Sequence, residues 1–238
     1  MKTFLLLGAA LGGAMLLADQ PNTLTAAEKK AGWQLLFDGK TLSGWRGYQH
    51  KEPQNWKVEN GMIHGTNTDQ SEAARADLIT DAEYDNFELS FEWKVGPLGN
   101  SGVMYRATEA HKQPYYSGPE YQLEGYAAEY ARKGEKLPLT PLQLTGAAYD
   151  MYANPLNNAR PLGEFNESKI VVNGAHVEHW LNGKKILEYE LWSDDWKARK
   201  EKSKWKAEAD YGMAKRGHIA LQDHGTEVWY RSIKLRKL

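Results

Sequence analysis

Residues 118–125 read Gly118-Pro119-Glu120-Tyr121-Gln122-Leu123-Glu124-Gly125. Successive side chains of a β-strand point to opposite faces, so Glu120, Gln122 and Glu124 share one face while Tyr121 and Leu123 share the other. The stretch predicts a strand of an antiparallel sheet, apolar on the face that meets the core and polar on the other. A row of hydrogen-bonding groups of this kind suits a sugar site, and equally a solvated sheet face.

The same alternation recurs along the chain. Between Asn86 and Val95, the residues Phe87, Leu89, Phe91, Trp93 and Val95 face one way and Glu88, Ser90, Glu92 and Lys94 the other, the pattern of a half-buried strand. Further strands are expected over 102–107, 147–152, 168–172, 177–181, 185–189, 217–222 and 228–235. Asp38-Gly39, Asn60-Gly61, Asn173-Gly174 and Asn182-Gly183 mark tight turns, because Asn and Gly enter the positive φ of a two-residue hairpin at least cost. Many short strands with Gly-rich turns and no alternating helices predict an all-β sandwich. Two segments depart from the pattern. Residues 127–145, with Pro138 and Pro141, read as a long polar loop of the kind that often serves function. Residues 193–209, opened by Ser193-Asp194-Asp195, read as a capped helix with interleaved charges on a solvated face.

The 238 residues carry 30 Lys and Arg against 31 Asp and Glu, a balance that gives no electrostatic case for a nucleic-acid partner. Nine Trp and 13 Tyr outnumber five Phe. This bias favours aromatics with a flat apolar face and a polar edge, a character that sugars share. With no cysteine, disulfides, thiolate chemistry and a lipoprotein signal are excluded. Lys2, the apolar run 4–17, Ala18 and Asp19-Gln20-Pro21 read as a secretory signal peptide over 1–18, since a membrane span needs ~20 apolar residues. A polar linker over 19–31 and a single domain over 32–238 follow. No transmembrane segment is expected after signal removal, and export without disulfides fits a bacterial periplasmic or secreted protein.

Leu36-Phe37-Asp38-Gly39-Lys40-Thr41-Leu42-Ser43-Gly44-Trp45, Gly99-Asn100-Ser101-Gly102-Val103, the 118–124 strand, His179-Trp180-Leu181-Asn182-Gly183 and Ile219-Ala220-Leu221-Gln222-Asp223-His224-Gly225 together resemble the 3-keto-disaccharide hydrolase domain family. The resemblance spans the chain beyond the leader, in order. It implies a concanavalin-like jelly-roll β-sandwich of two curved antiparallel sheets that holds carbohydrate on its concave face. It also implies cleavage of the glycosidic bond of 3-keto-glycosides, by hydrolysis or by elimination and hydration. A ketone at C3 acidifies the C2 proton, so such an enzyme needs a base for C2, a donor or cation for the C3 oxygen and an acid for the leaving group. The row also resembles the catalytic strand of laminarinase-like glycosidases, with Gln122 in place of a central Asp. On a regular strand the α-carbons of Glu120 and Glu124 stand ~13 Å apart, whereas a retaining pair of carboxyls wants ~5.5 Å.

Glu120 or His224 is accordingly expected as base, and Glu124 as acid or hydroxyl binder. His224 ends a strand beside Asp223 and a turn glycine, and histidine titrates near neutrality. Asn100, Arg106, Gln122 and Gln222 are expected to hold the sugar, with Asp223, Tyr149, Trp180 and Trp229 as further cleft candidates. His179 alternates with Val177 and Leu181 and reads as a core histidine; His218 reads as structural. The sequence has no His-Glu-x-x-His spacing, so a metal is not assigned, although a divalent cation such as calcium could use scattered oxygen ligands. A nucleotide cofactor is not expected, for want of a P-loop or Gly-x-Gly-x-x-Gly. The alternative to an enzyme is a non-catalytic, lectin-like carbohydrate-binding module with Trp180 and Trp229 as stacking platform.

Overall fold

The computed structural model describes residues 20–66, 71, 74–125, 129–132 and 135–238, giving for 129–132 and 135–138 the backbone alone. The leader expected over 1–18 lies outside the described residues. In chain order the strands are β1 (Gln34–Leu35), β2 (Trp45–Gly47), β3 (Trp56–Glu59), β4 (Met62–Gly65), β5 (Leu78–Thr80), β6 (Phe87–Val95), β7 (Asn100–Ala107) and β8 (Glu120–Glu124). They continue with β9 (Glu129–Arg132), β10 (Glu135–Pro138), β11 (Asn166–Asn173), β12 (His176–Leu181), β13 (Lys184–Glu190), β14 (His218–Leu221) and β15 (Val228–Lys237). The helices are α1 (Ala26–Lys30) and α2 (Asp194–Lys202).

Two antiparallel sheets form a jelly-roll sandwich. The larger runs β13-β12-β11-β6-β15-β4-β3 with β1 also on β15, the smaller runs β2-β5-β14-β7-β8, and β9 and β10 form a separate hairpin. Strand parity decides what lies between the sheets. Phe87, Leu89, Phe91, Trp93 and Val95 of β6 are each at most 5% exposed and pack with Tyr121 and Leu123 of β8 and with Tyr105 of β7. Each large side chain so buried stabilises the fold by roughly 1.5–3 kcal/mol. The alternate residues Glu88 and Glu92 pair on the outer face with Arg236 and Arg231 of β15, where partly exposed ion pairs add little.

His179 is fully buried, its Nδ1 donating to the Gly146 carbonyl at 3.0 Å and its Nε2 3.0 Å from the Tyr105 hydroxyl. Loss of water draws its pKa down to about 4, so it is a neutral, satisfied core residue. His218 likewise meets the Thr80 carbonyl through Nδ1 at 2.7 Å.

Several sequence expectations change. Residues 147–152 are not a strand: the chain turns there and meets β8 through an isolated bridge between Ala148 and Tyr121. The long loop over 127–145 holds the β9–β10 hairpin. Asn60-Gly61 and Asn182-Gly183 adopt positive φ at both positions, but at the third pair the loop is Gly174-Ala175, with Asn173 still paired to His176. Gly174 takes the positive φ at the first loop position, a hairpin that needs glycine only there. The segment read as a linker carries α1, whose N-terminus is set by a Thr25–Glu28 capping box. Asn22 fastens it to the domain, donating to the Gly61 carbonyl and accepting from the Ser232 amide, each at 2.8 Å.

Candidate active site

Glu120, Gln122 and Glu124 do share the outward face of β8, but that face is not wet: they are 3%, 2% and 7% exposed. Other segments roof it over and leave a cavity of about 650 Å³, within the range that accommodates drug-sized ligands. Glu120 and Gln122 line it with Asn100 at the start of β7, the Gln222-Asp223-His224 run after β14, and Tyr149. Residues far apart in the chain thus converge because β14, β7 and β8 are neighbours in one sheet.

Gly102 faces Gln122 across the β7–β8 ladder, and the Glu120 carboxyl lies over it: a Cβ on Gly102 would come within 2.1 Å of Glu120 Oε1. The Gln122 amide, turned so that its nitrogen meets acceptors, donates to Glu120 Oε1 at 3.2 Å and to the Ser101 carbonyl at 3.3 Å. Burial pushes the Glu120 carboxyl up to about 7, against an opposing pull from the Lys204 charge. The Tyr149 amide donates to the Glu120 carbonyl at 3.0 Å, and the Trp205 indole donates to the Tyr149 carbonyl at the same distance.

Asp77, immediately before β5, also lines the cavity. Its Oδ1 accepts the Asp223 amide at 2.7 Å, while its Oδ2 is buried with no hydrogen-bond partner. Burial, with the neighbouring Asp223 and Glu120 charges, raises it to about 7. Asp223 differs: its oxygens accept from Asn55 Nδ2 at 3.1 Å, the Ala76 amide at 3.2 Å and the Gly225 amide at 3.0 Å. His224 is lowered to about 4 by burial and by the Arg75 charge, so it is neutral at pH 7 and a weak base. Gln222 offers a second orphan, a buried Oε1 without a partner.

The roof is aromatic. Tyr115 and Tyr116 stand 4.8 Å apart, and Trp205 is held by stacking on Tyr211 at 4.6 Å. The Lys204 ammonium lies 3.9 Å from the Tyr149 ring centre, 4.2 Å from that of Trp205 and 5.8 Å from that of Tyr115. Part of the side chain is open to solvent, yet the rings strip enough water from the ammonium to draw its pKa below the ordinary lysine value.

A family model for the 3-keto-alpha-glucoside-1,2-lyase-like domain matches residues 32–236. The chain belongs to that family. It is 34% identical over 231 residues to a 3-keto-disaccharide hydrolase of Bacteroides thetaiotaomicron, an alignment covering 87% of this chain and 79% of the relative. A crystal structure from Parabacteroides distasonis, provisionally described as a glycosyl hydrolase, superposes with a TM-score of 0.84 at 37% identity, covering 92% of this chain and 100% of that one. The carbohydrate-binding module CBM66 of Bacillus subtilis shares the fold alone, with a TM-score of 0.50 at 9% identity over 82% of this chain and 96% of the module.

Not every expected site residue of this family member reaches the cavity. Glu124 ends the polar row beside a separate recess of about 10 Å³, near Trp93 and Arg160, which has room for about one water. Arg106 is 3% exposed and donates to the carbonyls of Asp85 at 2.8 Å and Gly174 at 2.9 Å and to Asn86 Oδ1 at 3.1 Å. Its strand parity with Asn100 and Gly102 is broken by its own positive φ of 51°, which turns the side chain to the end of the sandwich. Trp180 and Trp229 sit on the outer face of the larger sheet, because their neighbours Leu181, Val228 and Tyr230 fill the core. There Trp180 donates to Glu178 at 2.7 Å, and Trp229 stacks on His64 at 4.5 Å.

Asp77, Arg75, Lys204, Trp205, Tyr115 and the exposed Lys51 and Lys112 join the cavity without having been expected there. They come from irregular segments, where no period assigns a face; only the Lys204-Trp205 pair, a cation beside an aromatic just past the helix, carries a readable signal. Among the described residues, His176, Glu178 and Glu188 offer ligand atoms within 4.8 Å of one another. They lie on the β12–β13 hairpin, and the Lys185 ammonium already joins Glu178 at 3.2 Å and Glu188 at 2.6 Å.

Proposed function

We propose that this protein is an exported enzyme that cleaves the glycosidic bond of 3-keto-glycosides, 3-keto-disaccharides among them, by elimination followed by hydration. The carrying observation is the pair of buried carboxyls, Glu120 and Asp77, on one cavity within a chain of this family. A base works best when its pKa lies near the working pH. Glu120 at about 7 therefore outranks His224 at about 4.

In the proposed reaction Glu120 takes the C2 proton, and the electron pair moves toward the C3 oxygen as an enolate. Lys204 supplies positive charge near that oxygen, in a site partly shielded from water where such charge counts most. The enolate then re-forms the ketone, the C1–C2 double bond forms and the C1–oxygen bond breaks. Asp77, kept protonated by burial, gives its proton to the departing oxygen. Addition of water returns hydroxyl to C1 and hydrogen to C2. Asn100, Gln122 and Gln222 hold the hydroxyls, and neutral His224 can orient the water.

The test is release of the aglycone from a 3-keto-glucoside by purified protein in heavy water. Release with deuterium at C2 of the product, above that in controls for exchange beside the ketone, and loss of turnover in Glu120→Gln by ~100-fold or more, is the expected result. Release with the original C2 hydrogen retained would point to direct hydrolysis. Tight sugar binding with no release at all would favour the lectin-like module.

A further inference from the structure

The cavity is more cationic than a neutral sugar requires. Lys51, Arg75, Lys112 and Lys204 line it, against Asp77, Glu120 and Asp223. The acids offset that charge only in part, since Asp77 and Glu120 are only partly ionised near neutrality, while the Asp223 oxygens are engaged by three N–H donors of the wall.

Arg75 is the key group. It is half-buried on the wall, its Nε is buried without a hydrogen-bond partner, and its guanidinium packs against Gly225, 2.9 Å from where a Cβ would stand. A buried guanidinium N–H left without an acceptor is costly and calls for one, and the planar fork of arginine matches an oxyanion. Lys51 and Lys112 are exposed at the mouth, Lys112 with its ammonium 5.8 Å from the Tyr116 ring centre. They meet whatever extends beyond the sugar ring.

We propose that the glycoside taken by this cavity carries an anionic group, a carboxylate or sulfate, on its aglycone, held by Arg75 with Lys51 and Lys112 at the rim. The inference rests on reading the cavity as a glycoside site. An anion on the sugar ring itself would face Glu120 and Asp77 and be repelled as they ionise, which assigns the charge to the aglycone.

The probes are 4-carboxyphenyl glucoside and its methyl ester, both unoxidised at C3, so that binding is read without turnover. Calorimetry at low salt is expected to show the carboxylate bound about tenfold or more tightly than the ester, as a charge-assisted hydrogen bond gives. That advantage shrinks as added salt screens the rim charges and falls in both Arg75→Gln and the exposed-site variant Lys112→Gln. Equal affinities, no carboxylate binding, or an advantage that survives both substitutions overturns the anion site. Aglycone release from the 3-keto forms of the same pair is read separately. Release from both without a binding preference defeats the anion site and leaves the cleavage reading, whereas a binding preference without release from either does the reverse.

Discussion

At the scale of single residues, the chemistry turns on how Glu120 is placed and desolvated. Gly102 leaves the space its carboxyl occupies, so Gly102→Ala should push that carboxyl aside: a Cβ would lie 2.1 Å from Oε1. We expect kcat to fall ~10-fold or more, since small misplacements of a catalytic group are expensive, with the urea midpoint nearly unchanged because the flexible end of Glu120 can move. Glu120 must be ionised and Asp77 protonated, and both titrate near 7. Activity should therefore rise as pH approaches 7 and fall beyond it, a narrow bell in kcat/KM whose two limbs belong to the coupled pair; a flat profile from pH 5 to 9 would contradict the assignment. The Glu120–Gln122 row was legible in the sequence because period-two alternation fixes which side chains share a face. Asp77 was not, because nothing local marks a carboxyl whose partner is missing.

At the scale of elements, the roof depends on the turn that follows α2. Ser193 caps the helix, its hydroxyl accepting the Trp196 amide at 3.1 Å. Past its C-terminus, Trp205 anchors the segment by packing on Tyr211 and bonding Tyr149. Trp205→Ala should cost about 3–5 kcal/mol, as for other buried aromatics, and should raise KM by releasing Lys204 and Tyr149; denaturation and steady-state kinetics on the same sample check both. The regular strands β6, β8, β11 and β12 lay close to their expected spans. Misreadings fell where a local backbone choice overrode the period: the positive φ of Arg106, the turn at 147–152, and the hairpin hidden in a proline-bearing loop. Trp180 and Trp229 show a further limit, for parity separates the two faces of a strand without saying which sheet the strand joins.

At the scale of the whole molecule, a cavity floored by desolvated carboxyls weakens the fold as pH rises. Asp77 titrates near its ordinary value when unfolded and near 7 when folded, so between those limits the native state holds more protons than the unfolded chain and stability falls with increasing pH. Asp77→Asn removes this contribution while keeping an oxygen for the Asp223 amide. Its urea midpoint should gain on that of the unmutated protein between pH 5 and pH 8, by an amount equivalent to a few kcal/mol; a constant difference would mean that Asp77 is not desolvated.

The last strand carries one more consequence. β15 lies between β6 and β4 and also receives β1, while Ser232 holds Asn22, 210 residues earlier. Until the ten residues of β15, Val228–Lys237, arrive, the larger sheet is divided into β13-β12-β11-β6 and β4-β3, and β1 has no strand to join. A nascent chain can close this sandwich only once Val228–Lys237 has left the ribosome, and such distant pairings form slowly. For a chain proposed to be exported, that delay keeps the polypeptide threadable while it is being moved across a membrane.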